Sequence, residues 1–342
     1  MRGLAIVGAL LLSGCMPIRY VTQAAAGQEQ LNRQGVDIET VVREERLDKR
    51  TRQLLAHVSP IKAFGERYGL RRTKNYQRYI RLDRPAVVWV VSACDPVAFR
   101  PRVWRFPIVG SITYSGWFDR SEAKTYAEGL ARAGWDVDLR PSQAYSTLGW
   151  FDDPILSTMI SPEPDALGEL ADVVLHETLH ATFYVPNQST LNESVAAFVG
   201  DELAARYLDE TTGPDSDEKA QFVEAKRRGE RRGTLMKRAY EALDALYRSS
   251  KPRSEKLAEK ADIIAQLARD TGIRRPITNA TLIQYKTYGS GKAELAALLE
   301  ACGGDFTKTL GALEALRSAS HGAPPHSDPG ELLRPLVEAG CR

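Results

Sequence analysis

The sequence lacks two features that would point to a nucleic-acid partner or to a membrane span. Its 46 Lys and Arg residues face 44 Asp and Glu residues, a formal charge of +2, so we expect no nucleic-acid partner. The apolar run near the N-terminus, Leu4 to Leu12, is shorter than the roughly 20 residues that cross a bilayer. A transmembrane anchor is therefore the weaker interpretation of this run, and an export signal is the better one.

Cysteine is scarce, and one of the four cysteines lies in a motif. Leu12-Ser13-Gly14-Cys15 resembles a bacterial lipobox, which predicts cleavage before Cys15, lipidation of its thiol and attachment to a membrane through that lipid. Met16 in the next position resembles outer-membrane sorting. We therefore expect a lipid-anchored protein of the bacterial cell envelope, at the outer membrane and facing the periplasm. The alternative is an ordinary secretory signal with an incidental cysteine.

The other three cysteines, Cys94, Cys302 and Cys341, cannot all pair within one chain. In an oxidising compartment a disulfide between Cys302 and Cys341 is possible, and small buried thiols are an equally good alternative. The sequence leaves both open.

The most informative stretch that is present is His176-Glu177-Thr178-Leu179-His180. On a helix, positions i and i+4 share a face, so both imidazoles point towards one place and can chelate a metal. Zn2+ is the expected cofactor, and it lowers the pKa of a bound water to about 7. Glu177 lies between the two histidines, close enough to take a proton from that water. The surrounding segment is apolar and has no Pro or Gly between Glu169 and Val185, which favours a buried helix.

Histidine is scarce as well, since the chain has five, and the third metal ligand is therefore expected to be a carboxylate. Glu193, early on the next predicted helix, is the first candidate, because two histidines alone do not make a tight zinc site. Glu202 and Asp201 are the fallback ligands. The competing interpretation is a capping box, in which Glu193 only bonds back to Thr190. We expect the other three histidines, His57, His321 and His326, to be structural or loop residues.

The hydrophobic pattern predicts an α+β fold that is predominantly helical. Apolar residues recur at helical spacing from Gln28 to Tyr79, and β-branched or alternating runs then predict a small mixed sheet. The predicted strands are 86–91, 107–114, 135–139 and 144–148; the predicted helices that follow residue 120 are 121–133, 166–185, 189–207, 215–250, 254–269, 292–301 and 305–318. A small sheet that leads into the His-Glu helix is typical of zincin-like peptidases, in which an edge strand holds an extended peptide beside the metal.

Four segments resemble the lipoprotein zinc aminopeptidase family of Gram-negative bacteria. They are Pro107-Ile108-Val109-Gly110, the stretch 144–154, His176 to His180, and Asn192-Glu193-Ser194, within a resemblance that runs from Cys15 to about Ser318. The resemblance implies a gluzincin-type peptidase. The motif histidines fall on the family's paired zinc ligands, Glu177 on its general base and Glu193 on its expected third ligand.

The resemblance extends to the C-terminal part of the chain. Asn279-Ala280-Thr281-Leu282 with Tyr288 falls on a family motif, so we expect this segment to return to the active site and Tyr288 to steady the oxyanion. An aminopeptidase also binds the free amino group of its substrate with a carboxylate, and Asp152 or Asp153 is a candidate, although an Asp-Asp-Pro turn fits these residues as well. The chain departs from the family pattern at Ser115, Ala181 and Thr281, which bears on substrate preference.

Together these patterns predict a zinc metallopeptidase, an aminopeptidase that hydrolyses peptide substrates. An endopeptidase is one alternative, and a non-catalytic envelope lipoprotein that uses the zincin fold as a binding or scaffolding module is another. Glu177 favours the enzyme, because a scaffold needs no base between the two histidines. The predicted segments are 1–14, a signal peptide; 15–85, a lipidated N-terminus and helical layer; 86–210, a zincin-like catalytic core; and 211–342, a C-terminal helical region.

Overall fold

The computed structural model of the protein describes residues 20, 22–44, 47–106, 110–143, 152–287, 289–319 and 327–341. Within these residues helices predominate over short strands, which confirms the α+β prediction. The chain forms two compact units, each made of several stretches. The first comprises residues 1–35, 81–145 and 232–286, and the second comprises residues 36–80, 146–231 and 287–342. The four segments expected from the sequence stay predictions.

The first unit is built on an antiparallel sheet. Its central strand β3 (Val88–Cys94) pairs with β6 (Tyr114–Trp117) on one side and with β7 (Asp136–Ser142) on the other. The strands expected at 86–91 and 135–139 are thus confirmed. The remaining elements are the antiparallel pair β4 (Trp104–Phe106) and β5 (Gly110–Ile112), and the helices α1 (22–34), α5 (Arg120–Arg132), α9 (Arg253–Thr271) and α10 (Asn279–Leu282).

Helix α5 shows how local sequence positions an element on this sheet. Asp119 caps its first turn by accepting a hydrogen bond from the backbone N–H of Glu122 at 2.8 Å, which satisfies a donor that the helix itself leaves unpaired. Ala123, Ala127 and Leu130 recur at helical spacing and are buried against the sheet. The predicted helix at 121–133 is therefore confirmed.

The second unit is centred on two long helices, α6 (Ala166–Thr182) and α7 (Ser189–Thr211). Around them lie α2 (Ile38–Arg43), α3 (Lys49–Ala56), α4 (Val58–Arg67), α11 (Lys292–Ala301), α12 (Phe306–Leu313), α13 (Ala315–Ala319) and α14 (Pro329–Ala339). The core of this unit contains Leu55, Val58, Ile61, Leu170, Val174, Leu175, Leu179, Leu191, Val195, Leu203 and Leu208. Each fully buried aliphatic side chain contributes roughly 1.5–3 kcal/mol, so this core holds α6 and α7 rigidly. Helix α8 (Asp217–Arg248) contributes residues up to Arg231 to this unit and the rest to the first.

A small mixed sheet packs on α6. Strand β2 (Arg78–Ile80) pairs antiparallel with β1 (Val36–Asp37) and parallel with β8 (Ile155–Leu156). Tyr79 and Ile155 are buried in the same core as the apolar face of α6. The sequence predicted a small mixed sheet but not these strands, because two or three residues carry no readable alternation. The strand expected at 144–148 lies outside the described residues.

The C-terminal part of the second unit is held by a disulfide between Cys302 and Cys341, the pairing that the sequence left open. Cys94 is buried and not in a disulfide. Helix α14 had not been predicted; Asp328 caps it, accepting from the backbone N–H groups of Gly330 and Glu331, with Pro329 at its first position. Among the described helices, none is both long and apolar enough to cross a membrane.

Candidate metal centre

Helix α6 brings the two motif histidines together as their spacing predicted. The ring centroids of His176 and His180 are 5.0 Å apart, with their planes at 80°. Their side chains are 22% and 15% exposed, so each ring is partly buried while one edge stays accessible. Two imidazoles on one helix face, one turn apart, form the chelating half of a metal site.

Helix α7 supplies the third group. The two carboxylate oxygens of Glu193 lie 3.5 Å from Nε2 of His176 and 3.5 Å from Nε2 of His180. The three potential ligand atoms all lie within 4.8 Å of one another, and the Glu193 side chain is 65% exposed. Two imidazole nitrogens and one carboxylate oxygen, open to solvent on one side, form the donor set of a zinc site with three protein ligands.

The turn between α6 and α7 is fixed by Asn192, the residue before Glu193. Its side chain is buried, accepts a hydrogen bond from the N–H of Val185 and donates one to the C=O of Val185, both at 2.9 Å. The first bond satisfies the N–H of Val185, and the second adds to the bond that its C=O accepts from the N–H of Gln188 at 3.3 Å, in the turn that follows α6. Asn192 thereby sets the rotation of the first turn of α7, and with it the direction of Glu193.

The competing interpretation of Glu193, a capping box with Thr190, is not what the structure shows. The N-cap position of α7 is Gln188, and Thr190 is already the second residue of the helix. A capping box needs the Ser or Thr at the N-cap and the acid three residues into the helix. The carboxylate of Glu193 instead lies against the two imidazoles. Its role as a metal ligand stays a prediction.

A close approach of the two helices places these groups within reach. A Cβ on Gly200 of α7 would lie 2.5 Å from Oδ1 of Asp172, 3.2 Å from the backbone oxygen of Asp172 and 3.2 Å from Cβ of His176. The absence of a side chain at Gly200 therefore lets α7 lie directly against the turn of α6 that carries His176. Ala196, buried one turn earlier, serves the same purpose.

The three groups influence one another's ionisation. Burial raises the pKa of the Glu193 carboxyl, but its hydrogen bond with His176 and the charges of both imidazoles outweigh that and lower it. Burial also disfavours the charged form of His176, yet the hydrogen bond with Glu193 and the charges of Glu177, Glu193 and Asp172 raise its pKa. For His180 burial prevails and the pKa is lowered. The ionised carboxylate of Glu193 is thus favoured, and His176 is shifted towards its protonated form; a divalent metal would take the place of that proton, because metal ligation needs the neutral imidazole.

Glu177, the predicted base, is half-buried on α6, and its surroundings include a residue that the sequence did not single out. The phenol of Tyr76 is buried, and after burial itself the negative charges of Glu177 and Asp153 are what raise its pKa. Tyr76 also has φ of 64°, a left-handed conformation that costs a non-glycine residue about 1–3 kcal/mol. A strained, buried phenol beside the predicted base is a feature of a functional site. No sequence signal marks it, because φ is not readable from residue type.

The two candidate amine-binding aspartates have different surroundings. Asp153 is 3% exposed; its N–H donates to Oδ1 of Asn75 at 3.1 Å, and its C=O accepts from the N–H of Tyr76. Asp152 is exposed, and its charge acts on Lys62. Of the two, only Asp153 shares with Glu177 an electrostatic influence on the Tyr76 phenol.

The other residues weighed from the sequence lie elsewhere. Asp201 forms an ion pair with Lys226, and Glu202 lines a surface pocket with Phe198 and Arg206, so neither joins the three donors. His57 is hydrogen-bonded through Nδ1 to the hydroxyl of Tyr207 at 2.7 Å, in agreement with the structural role expected for it.

Several predicted positions cannot be compared with the structure. Cys15, Tyr288, His321 and His326 lie outside the described residues. Of the Asn279 to Leu282 motif, both polar side chains are buried and bonded within the first unit. Asn279 accepts from the Tyr247 hydroxyl at 2.8 Å, and Thr281 donates to Asp138 at 3.1 Å. The return of this segment to the active site stays a prediction.

Among known protein families, the model described as "Putative aminopeptidase" matches residues 19–323 of this chain. The match covers most of the chain, including α6 and α7 with all three donors. No curated protein and no solved structure matches the chain.

Proposed function

This chain belongs to the family described as "Putative aminopeptidase", and we propose that it is a zinc-dependent metallopeptidase that removes residues from the amino end of peptides. One observation carries the proposal: Glu193 reaches the two imidazoles of the motif from a second helix, on the exposed side of both rings. Zinc bound there would polarise the scissile carbonyl and lower the pKa of its water. The arrangement of α6 on a small mixed sheet supports a gluzincin-type version of the zincin fold.

The residues of the chain divide the remaining work. His176 and His180 would hold the metal through their imidazoles, and Glu193 would add an anionic oxygen that balances part of its charge. Glu177 follows His176 directly on α6, where it accepts a proton from water and returns it to the leaving amine. Tyr288 is proposed to donate a hydrogen bond to the oxyanion.

Recognition of a free amino group needs a carboxylate near the scissile bond, and we assign this to Asp153 in preference to Asp152. A buried carboxylate binds an ammonium group more strongly than an exposed one, because water screens it less. Asp153 is buried and close to Tyr76, which also senses Glu177, whereas Asp152 is exposed beside Lys62. An endopeptidase would not need this contact.

We also propose that lipid on Cys15 holds the protein at the periplasmic side of the outer membrane. One observation supports it: the Cys302–Cys341 disulfide suits an oxidising compartment. Replacing Cys15 with Ser should release the protein from membranes on fractionation, because it removes the acyl chains that supply membrane affinity. A variant that stays in the membrane fraction would contradict the lipid anchor.

Metal analysis and a peptide screen test the proposed activity. Soluble protein that begins after Cys15 should contain about one Zn2+ per chain and lose it to a chelator. Glu177→Gln should keep the zinc and lose turnover by roughly 10²–10⁴-fold. The matched control, Glu169→Gln on the exposed side of α6, should change neither.

The choice of substrate separates the alternatives. Peptides with a free amino end should be cleaved, whereas internally quenched peptides with a blocked amino end should be cleaved only by an endopeptidase. Wild-type protein that binds zinc but cleaves neither class would favour the scaffolding module. Protein purified without chelator that contains no zinc would refute the proposed function.

A further inference from the structure

A half-buried ion-pair cluster lies one turn behind the metal centre and links its two helices. Lys226 of α8 is 2.6 Å from Oδ2 of Asp172 on α6 and also forms an ion pair with Oδ1 of Asp201 on α7. Asp172 precedes His176 by four residues, so the two side chains share one face of α6. Asp201 lies eight residues after Glu193. Lys226 thus holds a carboxylate against the turn that carries a predicted zinc ligand.

One oxygen of Asp172 has no partner. Oδ2 accepts from Lys226, but Oδ1 is buried and has no hydrogen-bond partner among the described residues. Gly200 lies directly against it, and the same glycine face contacts Cβ of His176. A buried carboxylate oxygen without a donor is unfavourable, so Oδ1 of Asp172 is suited to accept a hydrogen bond from a neighbouring group.

His176 carries a ring nitrogen that can donate the hydrogen bond which this oxygen could accept. Its Nε2 faces Glu193, and Nδ1 makes no hydrogen bond within the described residues. When Nε2 binds a metal, the proton of the neutral ring must reside on Nδ1, which then needs an acceptor. Asp172 is the carboxylate on the preceding turn, and its charge already acts on His176.

We propose that Asp172 is a positioning residue for His176, accepting the Nδ1–H of the metal-bound imidazole through its free Oδ1. Lys226 holds the other oxygen of Asp172 and so fixes the carboxylate plane. The bond selects the tautomer that leaves Nε2 free for metal, orients the ring and makes it a stronger ligand. This inference rests on the proposed function, because it requires a metal at the centre.

Two matched substitutions test it. Asp172→Asn and Asp201→Asn each remove one carboxylate from Lys226, but only the first faces His176. An asparagine at 172 should turn its carbonyl oxygen to Lys226, so its NH2 group faces His176 and a donor meets a donor. We expect the zinc dissociation constant, measured by chelator competition, to rise roughly 10–100-fold for Asp172→Asn. For Asp201→Asn we expect a change below about threefold, with thermal unfolding of both metal-free variants similar because each loses one ion pair to the same lysine.

A spectroscopic readout separates positioning from structural support. In protein loaded with Co2+ in H2O, the Nδ1 protons of ligating histidines give strongly shifted NMR signals that are lost when they exchange with water. The His176 signal should be present in wild type and in Asp201→Asn, and should be lost or exchange-broadened in Asp172→Asn, while the His180 signal stays as the internal reference.

The outcomes discriminate clearly. Equal losses of zinc affinity in the two variants, or an unchanged His176 signal in Asp172→Asn, would overturn the positioning role and leave the proposed function standing. Wild-type protein that binds no zinc would overturn both.

Discussion

Two clusters of polar side chains, one in each unit, differ in the hydrogen bonds that their groups make. In the first unit Asp138 is 4% exposed and accepts from Thr281, and it forms ion pairs with Arg275 and, at 3.5 Å, with Arg140. Its neighbour on β7, Asp136, accepts through Oδ2 from Lys260 and from the backbone N–H of Asn279, both at 2.6 Å. Donors from α9 and α10 thus meet both carboxylates of this strand.

The cluster in the second unit consists of metal-binding side-chain types that face one another. His176, His180 and Glu193 converge on one place, where the two Glu193 oxygens lie 3.5 Å from the two imidazole Nε2 atoms and the Glu193 side chain is 65% exposed. Two imidazole nitrogens and a carboxylate oxygen within 4.8 Å of one another are a donor set that a divalent metal would bind. Asp172 behind them keeps an unpaired oxygen.

This difference distinguishes polar residues that stabilise the fold from polar residues that are expected to bind a ligand, although both kinds look alike in the sequence. A cluster in which donors meet each carboxylate stabilises the fold and holds α10 to β7. A cluster of donor atoms that converge on one accessible place is suited to bind a ligand. Substitutions in the Asp136 and Asp138 cluster should therefore change the free energy of unfolding, and substitutions in the His176, His180 and Glu193 cluster should change metal affinity. Four substitutions test this comparison.

The largest effect is expected for Glu193→Ala. It leaves two neutral imidazoles to hold a dication, so zinc should be lost at ordinary concentrations while circular dichroism stays that of the folded protein. Thr190→Ala, within the same turn of α7, is the control and should keep both zinc and activity. If the Glu193→Ala variant contained stoichiometric zinc, Glu193 would not be a zinc ligand.

Asp138→Ala should be the most damaging to stability. It leaves the buried hydroxyl of Thr281 without Asp138 as its acceptor, which costs about 1–3 kcal/mol, and it removes the ion pair with Arg275, whose side chain is 41% exposed. Arg140→Ala is the matched control, because the Arg140 side chain is 40% exposed and such a pair contributes about 0–1 kcal/mol. Denaturant unfolding measures both. Zinc affinity of the folded fraction should be unchanged, and a loss of zinc would contradict the separation of the two clusters.

Asn192→Ala should give a mixed effect, since this residue connects stability to the metal centre. It leaves the N–H of Val185 buried without its acceptor, at about 1–3 kcal/mol, removes one of the two hydrogen bonds that the C=O of Val185 accepts, and frees the turn that directs Glu193. Asn192→Asp still accepts from the N–H, but it cannot donate to the C=O and it places a carboxylate at a buried position, so it should cost no less than the alanine. Zinc affinity should fall in both variants. Unfolding free energies of both variants equal to that of the wild type would show that the two bonds to Val185 contribute nothing.

Much of the second unit's centre was readable from the sequence because its signals are local. The i, i+4 spacing of His176 and His180 and the apolar run around them depend only on helix geometry. Glu193 followed from the shortage of histidine, although the sequence could not decide between ligand and capping box. The structure excludes the capping box because α7 begins at Ser189, two residues too early for Thr190 to be its N-cap.

What could not be predicted depends on contacts between distant residues. Strands β2 and β8 exist only because they pair with each other, Tyr79 with Ile155. The positive φ of Tyr76 and the link from Lys226 to Asp172 likewise arise from the packing of separate segments. Asp172 looks like an ordinary acid on a helix until Gly200 is known to lie against it.

The smallest effect is expected for Gly200→Ala, at the close contact between α6 and α7. A methyl group there meets Oδ1 of Asp172 at 2.5 Å and Cβ of His176 at 3.2 Å, and the first of these contacts cannot exist without a shift of α7 or of the carboxylate. Gly200→Ala should therefore cost about 1–3 kcal/mol of unfolding free energy by overpacking, partly offset by the better helix propensity of alanine. Because the methyl group would press on both Oδ1 of Asp172 and His176, zinc affinity should also fall.

Gly229→Ala is the control. Gly229 lies within α8 with open space where the methyl group would go, so the substitution should stabilise the protein by about 0.5–1 kcal/mol without an effect on zinc affinity. A Gly200→Ala variant that matches this control in both measurements would mean that the close approach of α6 and α7 is not needed to form the metal centre.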